Sequence, residues 1–297
     1  TNMPTPNPQQ ISDESGGSSI TTTLSSTIPT RTGYTFKGWN TSSTATTAQY
    51  QPNSTITLRE ANKDITLYAV WEKPKTLSDI TNMQEMTSEI CNKADVGQSN
   101  ILTDTRDGKK YYVTKLKDGT CWMTQNLAYN GGGTDRGTSC SSWQDTYTVA
   151  AQYCSPGHTD GDHASRGNYY SWPAAMNGNT SATGTVQGIC PDGWHLPTSN
   201  TTAKGSFGSL TIAYGAGDNS AGSAIMRGAP MYFQYSGRAS SYGIDYVGND
   251  AYYWSSTNCD NGPCVLHFTS SSANPSYTNL RWAPSFYGFS VRCLANF

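Results

Sequence analysis

LTDTRDGKKYYVTKLKDGTCWMTQNL, residues 102–127, carries two Asp-Gly pairs, Asp107-Gly108 and Asp118-Gly119, on either side of the strand pattern YYVTKL at 111–116. Asp-Gly between alternating segments is a signal for a two-residue hairpin, because both central positions of the favoured turn need φ > 0. The stretch therefore predicts a three-stranded antiparallel meander over about residues 101–127, ending in CWMTQNL.

Downstream, residues 130–165 read as turns and loops, with NGGGTDRGTSC and CSPGHTDGDHAS as their clearest pieces. NYYSWPAAM (168–176) predicts a helix with Pro173 in its first turn, where a missing N–H costs nothing. SFGSLTIAYG (206–215) predicts a second short helix, with Ser206 as N-cap and Gly215 as stop. PMYFQYSG, DAYYWSST, CVLHFTS and GFSVRCL, between 230 and 294, read as strands.

Upstream, TNMPTPNPQQ (1–10) is polar and Pro-rich and reads as a tail, taken as 1–12. PTRTGYTFKGWN (29–40), STITL (54–58) and DITLYAVW (64–71) are strand patterns that predict one small sheet within 13–73, its aromatic residues Tyr34, Phe36, Trp39 and Trp71 inside. Residues 74–85 read as a linker and 86–297 as the main domain. NMQEMTSEIC (82–91) is either a short helix or an extended amphipathic segment.

The 297 residues carry a net charge of −2 with 13% charged residues, which argues against nucleic acid or an anionic membrane as partner. No apolar run approaches the roughly 20 residues of a membrane-spanning helix. The chain opens without an initiator Met, so the expectation is a longer precursor, with any leader or anchor outside these residues. The counts of 29 Gly, 19 Tyr, 8 Trp and 8 Cys suit loop-rich extracellular β modules, and an even number of cysteines without C-x-x-C spacing predicts disulfides.

Two resemblances rest on these motifs. GYTFKGW and LYAVW, within about 16–72, resemble the Listeria–Bacteroides repeat, or internalin B-repeat, which implies a β-grasp-like spacer. LTDTRDGKKYYVTKLKDGTCWMTQNL, NYYSWPAAM, GICPDGWHLPT, YYWSST and GFSVRCL, in that order over 86–297, resemble the Fibrobacter succinogenes major paralogous domain. That family in turn resembles the formylglycine-generating-enzyme branch of the C-type-lectin-like fold. The implied class is α+β: short helices on a twisted antiparallel sheet, in a secreted or surface-anchored bacterial protein.

Cys190 and Cys293 sit in the two motifs that define this domain, and a bridge between them would close about a hundred residues. Cys91 with Cys121 and Cys140 with Cys154 are the next natural pairs, although order alone leaves roughly a hundred connectivities open. Cys259 and Cys264 bracket Asp260-Asn261-Gly262-Pro263, a turn composition, and read as a staple across a hairpin. Their spacing also resembles the copper-binding thiols of formylglycine-generating enzymes, which keeps a thiol oxidase as an alternative.

Cys154, His158, Asp160, Asp162 and His163 could supply metal ligands, but their spacing fits no zinc pattern. No cofactor is expected; calcium on the aspartates is the alternative. His195, inside GWHLPT, reads as a hydrogen-bonded core histidine. Gln51-Pro52-Asn53 and Gly248-Asn249-Asp250 resemble sugar-binding tripeptides and lack a partner acidic motif. No phosphate loop, nucleophile elbow or carboxylate pair stands out, so the expectation is a non-catalytic protein.

Between YYWSST and GFSVRCL the chain is rich in Asn, Ser, Tyr, Arg and Trp, the vocabulary of adaptable binding surfaces. The placement resembles that of ligand-binding variable proteins, which diversify residues just before the last strand of this fold. The expected contacts are Tyr277, Asn279, Arg281, Trp282, Phe286 and Tyr287, helped by His267 and Asn258. The expected function is adhesion to a protein or glycan on another surface, with any membrane attachment through an anchor outside this chain and the oligomeric state left open. A structural subunit of a fibre or pilus is the other non-catalytic alternative.

Overall fold

The computed structural model describes residues 3–12, 17–59, 64–146, 151–180, 184–199, 205–216, 220–259, 261–270 and 279–296. The chain divides into two units, Thr1–Lys75 and Thr76–Phe297.

In the first unit β1 (Ser19–Thr23), β2 (Thr35–Asn40), β3 (Thr55–Arg59) and β4 (Tyr68–Glu72) form two antiparallel pairs, β1 with β3 and β2 with β4. The single sheet expected from the sequence is therefore split into two ribbons. The free edge of β2 is occupied: Trp39 N–H donates to the Tyr50 carbonyl at 2.8 Å, and Gln49 and Tyr50 N–H return to the Trp39 carbonyl. Gly38 allows this approach, because it has φ +130° and a Cβ there would stand 2.5 Å from the Tyr50 oxygen. Trp39, Ile56 and Val70 are buried, and Phe36 packs edge-on to Trp39 and Trp71.

The second unit begins earlier than the linker reading of 74–85 allows. Leu77, Ile80 and Met83 are buried in its core at three-residue spacing, carried by the short turns Leu77–Asp79 and Met83–Glu85. The helix α1 (Ser88–Lys93) starts at Thr87, whose hydroxyl accepts the Ile90 N–H. It leads into the expected antiparallel meander of β5 (Ser99–Thr103), β6 (Lys110–Lys115) and β7 (Cys121–Met123). The turns are longer than two-residue hairpins, since only the glycines adopt positive φ, Gly108 at 78° and Gly119 at 86°. Leu116 N–H bonds the Thr120 carbonyl and Gly119 N–H bonds the Leu116 carbonyl, a three-residue loop closed by a left-handed glycine. Asp118 fixes it by accepting from Thr120 and from the Trp122 indole N–H at 2.8 Å.

Next come β8 (Thr134–Asp135), β9 (Gln152–Cys154) and β10 (Tyr169–Tyr170), which form one small sheet, then α2 (Trp172–Met176). Pro173 lies in the first turn of α2, as expected, and Asn177 ends it in the left-handed region. After β11 (Trp194–His195) follow α3 (Gly205–Tyr214) and α4 (Ser220–Arg227), the latter not anticipated from sequence. Gly215 stops α3 at φ +65°, as expected, but Ser206 is not its cap; it lies inside the helix, and the Thr198 hydroxyl accepts its N–H at 3.0 Å.

The hairpin β12 (Arg238–Ser240) and β13 (Gly243–Asp245) precedes the sheet of β14 (Asp250–Cys259), β15 (Gly262–Thr269) and β16 (Asn279–Trp282). The last strand, β17 (Leu294–Ala295), enters the meander sheet in the order β11-β17-β7-β6-β5. Residues 230–237, expected as a strand, are irregular, because Tyr232 takes φ +51° and the Met231 and Tyr232 carbonyls turn to the guanidinium of Arg292. Residues 288–294, also read as one strand, become one only at the end. Gly288, Phe289 and Ser290 instead bridge singly to Ala239, Tyr170 and Tyr253, tying three sheets together.

The second unit is thus mixed α and β, with small antiparallel sheets and short helices. Trp122, Trp194 and Trp254 are fully buried, and the indole N–H of each reaches an acceptor: Asp118, the Met83 carbonyl and the Tyr170 carbonyl. Disulfides join Cys91 to Cys121, Cys140 to Cys154, Cys190 to Cys293 and Cys259 to Cys264. His195 is buried with Nδ1 2.7 Å from Asn296 Oδ1, which agrees with a hydrogen-bonded core role. No described helix is long and apolar enough to cross a membrane.

Candidate ligand-binding face

Two hairpins of the second unit present rings to solvent on fixed backbone. The first is β14–β15, where Cys259 opposes Gly262 and the Cys259–Cys264 bond closes the tip. Trp282 of β16 stands opposite Cys264 and is 47% exposed. Its ring lies over Gly262, where a Cβ would stand 3.6 Å from Cε3, and the following Ala283 N–H is held by the Pro263 carbonyl at 2.9 Å. Asn258 is exposed beside the staple. Staple, Asn258 and Trp282 therefore form one corner.

The second hairpin is β12–β13. Tyr242 at its tip is 93% exposed, and Tyr246, just past it, is 49% exposed. Beneath them Arg238 pairs with Asp245 at 3.0 Å, its guanidinium 4.2 Å from the Tyr287 ring centroid and 4.9 Å from that of Tyr246. Burial works against the Arg238 charge, but the Asp245 carboxylate more than offsets it and raises the arginine's pKa. This cation between two tyrosines locks Tyr287, from the C-terminal segment, to the hairpin.

The expected contact residues separate on this framework. Trp282, Asn258 and the half-buried Tyr287 lie at the surface. Asn279 and Arg281 hold register positions opposite His267 and Val265 in β16, and Tyr277 lies outside the described residues. Phe286 and His267 are corrections to that set: each is only 6% exposed. The chain around Phe286 is drawn inward because its carbonyl accepts the Trp143 indole N–H at 2.8 Å, and Gly288 permits close contact with Trp143 and Ala239. His267 is covered because it stacks on Tyr252, 4.4 Å between centroids, in the central strand of its sheet. Arg238, Tyr242 and Tyr246 were missed by the sequence reading, although GRASSYGIDY has the same Tyr/Ser/Gly/Arg vocabulary that singled out the later segment.

The proposed metal ligands do other work. Asp160 accepts the Lys110 N–H at 2.9 Å and meets His158 Nε2 at 3.1 Å, pinning the loop to β6. Asp162 accepts the Ala164 N–H, and Cys154 is in its disulfide. His163 is stacked between Tyr112 and Tyr232, each 3.9 Å away between centroids, with Nδ1 2.8 Å from the Thr124 carbonyl. Among the described residues no three His, Cys, Asp or Glu side chains gather as a metal site. Of the tripeptides, Gln51 bonds the Lys37 carbonyl in the first unit, and the Asn249 carbonyl accepts the Ser270 N–H, one step beyond the Asp250–Thr269 pair of β14 and β15.

Burial holds His158, His163 and His195 below the ordinary imidazole value, against the opposing pull of Asp160, the Thr124 carbonyl and Asn296 respectively. The unfolded chain takes up protons near about pH 6.5, while the folded imidazoles resist protonation. The stability these residues contribute is therefore complete above about pH 6.5 and is lost as pH falls through the depressed folded values. Calorimetric melting of the whole chain should show a second-unit Tm that is steady above about pH 7 and falls between about 6.5 and 5. A Tm that rises over that interval would contradict this account of the three rings.

Comparison with known families places two of these regions. Residues 118–202 match the Fibrobacter succinogenes major domain, and residues 7–70 match the Listeria-Bacteroides repeat domain. The first match is shorter than the 86–297 expected, and both exposed hairpins lie beyond its end. Neither a curated protein nor a solved structure matches the chain. The two matched families are surface-associated bacterial modules and indicate a bacterial surface protein.

Proposed function

We propose that the second unit is a non-catalytic binding head of C-type-lectin-like architecture, held away from its attachment by the β-grasp-like first unit. In this reading it binds a protein or glycan on another surface. The observation that carries the proposal is the set of exposed rings, Tyr242 on one hairpin, Tyr246 just past it and Trp282 beside the other, with the hairpins held by a disulfide and by the Tyr–Arg–Tyr stack. Rigid aromatic side chains supply contact area at small cost in conformational entropy, and anchors of this kind carry most of the energy at interfaces. The Cys259–Cys264 bond supports the staple over the thiol-oxidase alternative.

The test is a glycan and host-protein binding screen of the full chain, followed by Tyr242→Ala and Trp282→Ala. Each substitution is expected to weaken the best ligand found by about tenfold or more. The melting temperature should not change in Tyr242→Ala, whose ring is 93% exposed, and should fall only slightly in Trp282→Ala, whose ring partly covers Gly262. Undiminished binding by both variants would remove this face from consideration.

A further inference from the structure

Beside the second hairpin is a recess of about 200 Å³ lined by Arg166, Arg227, Gln234, Tyr235, Val247 and Gly248. Its floor is rigid: Gly248 N–H bonds the Tyr235 carbonyl at 2.9 Å, and the Tyr235 hydroxyl donates to the Thr269 carbonyl. The Arg227 guanidinium lies 4.4 Å over the Tyr235 ring. Arg106 and Arg238, by contrast, are each paired with an aspartate. No carboxylate lines the recess, and among the described residues neither Arg166 nor Arg227 has one within ion-pair distance.

We infer that this recess binds the carboxylate-bearing ring of an acidic saccharide, a hexuronate. The inference rests on the proposed binding role of this unit and names the ligand chemistry for it. Two guanidinium groups offer forked donors matched to a carboxylate. Gln234 spends its Nε2 on the Tyr232 carbonyl, which leaves Oε1 to accept a hydrogen bond. Two cationic donors with a neutral acceptor suit a group that carries a carboxylate and hydroxyls together. An acidic peptide could offer Gln234 a backbone N–H, whereas a uronate ring carries several hydroxyls on the same rigid ring as its carboxylate. The volume is below that of pockets for drug-sized ligands, so a single ring is the scale of the bound group. Val247, 38% exposed, supplies an apolar wall next to Tyr246.

Isothermal titration of the full chain with tetragalacturonate and with a glucuronate oligomer tests the inference, with a neutral hexose tetramer and hexaglutamate alongside. Binding of a uronate oligomer is expected. It should weaken by about tenfold or more in Arg166→Gln or Arg227→Gln and decline with added salt. Lys93→Gln, which removes the same charge elsewhere, should bind as the parent does. Equal affinity for the neutral tetramer or for hexaglutamate would overturn the proposal. So would an equal loss in Lys93→Gln, or no uronate binding at all. If the arginine variants keep uronate binding while Tyr242→Ala loses the ligand of the binding screen, the recess fails and the broader binding role stands. If Tyr242→Ala and Trp282→Ala both bind as the parent while the arginine variants lose uronate, the recess stands and the aromatic face fails.

Discussion

Replacing Cys190 and Cys293 by serine should lower the second unit's melting temperature by roughly 10–20 °C, the largest effect of any single disulfide removal in the chain. The two residues are 103 apart in sequence and both are fully buried. Closing a loop of that length removes about 4.7 kcal/mol of chain entropy from the unfolded state, against a typical domain stability of about 5–15 kcal/mol. The bond also has a structural partner on each side. Met123 N–H is held by the Cys293 carbonyl at 2.9 Å, and Arg106, paired with Asp104, donates to the Ile189 and Cys190 carbonyls. The bridge thus clamps the 189–190 turn and the chain entering the last strand to the central meander, at β7 and at the turn between β5 and β6. The separations of the other bonds, 30, 14 and 5, set the expected order of the remaining removals. Calorimetry of the four double-serine variants measures that order. A larger loss from Cys259/Cys264 than from Cys190/Cys293 would show that local geometry, and not loop entropy, governs these bonds.

The parts of the fold visible in the sequence are those with local causes. The meander follows from alternation and Asp-Gly turns, α2 from Pro173, the end of α3 from Gly215, and the β14–β15 hairpin from Gly262-Pro263 between two apolar strands. The cysteine pairs joined in the structure are those favoured from motif and order. What was not visible depends on partners far away in the chain. No local signal at 230–237 says that its carbonyls will turn toward Arg292, some 60 residues on, so a strand-like pattern becomes a loop. The burial of Phe286 is decided by Trp143, and the ribbon split in the first unit by Tyr50 beside β2. Half of the proposed binding face was overlooked for another reason. The composition argument was confined to the segment before the last strand, whereas Tyr287 reaches it only through Arg238 of β12.

Arg292→Met should destabilise the second unit by about 3 kcal/mol, although it removes a buried charge. The side chain is fully buried, and burial pulls its pKa from 12.5 down to about 10, with Tyr253 opposing. That shift corresponds to roughly 3 kcal/mol against the charged form, which methionine would recover. The loss on the other side is larger. Arg292 donates to the Met231 and Tyr232 carbonyls and, at 2.9 Å, to Asn126 Oδ1, and it lies 4.2 Å over the Phe233 ring. Asn126 keeps the Tyr253 hydroxyl as a donor, so the deficit falls on the two carbonyls and the ring contact, roughly 3–8 kcal/mol in total. The midpoint of the difference is the expected net loss. Arg292→Lys separates charge from shape, because one ammonium cannot span the three acceptors that the guanidinium fork reaches. It should therefore fail to restore stability. The loop that Arg292 holds also places Tyr232 on His163. In both variants the His163 ring protons should accordingly lose the part of their upfield NMR shift that Tyr232 produces, while the part from Tyr112 on β6 remains. A lysine variant as stable as the parent, with that shift intact, would mean that a positive charge alone holds the 231–232 loop.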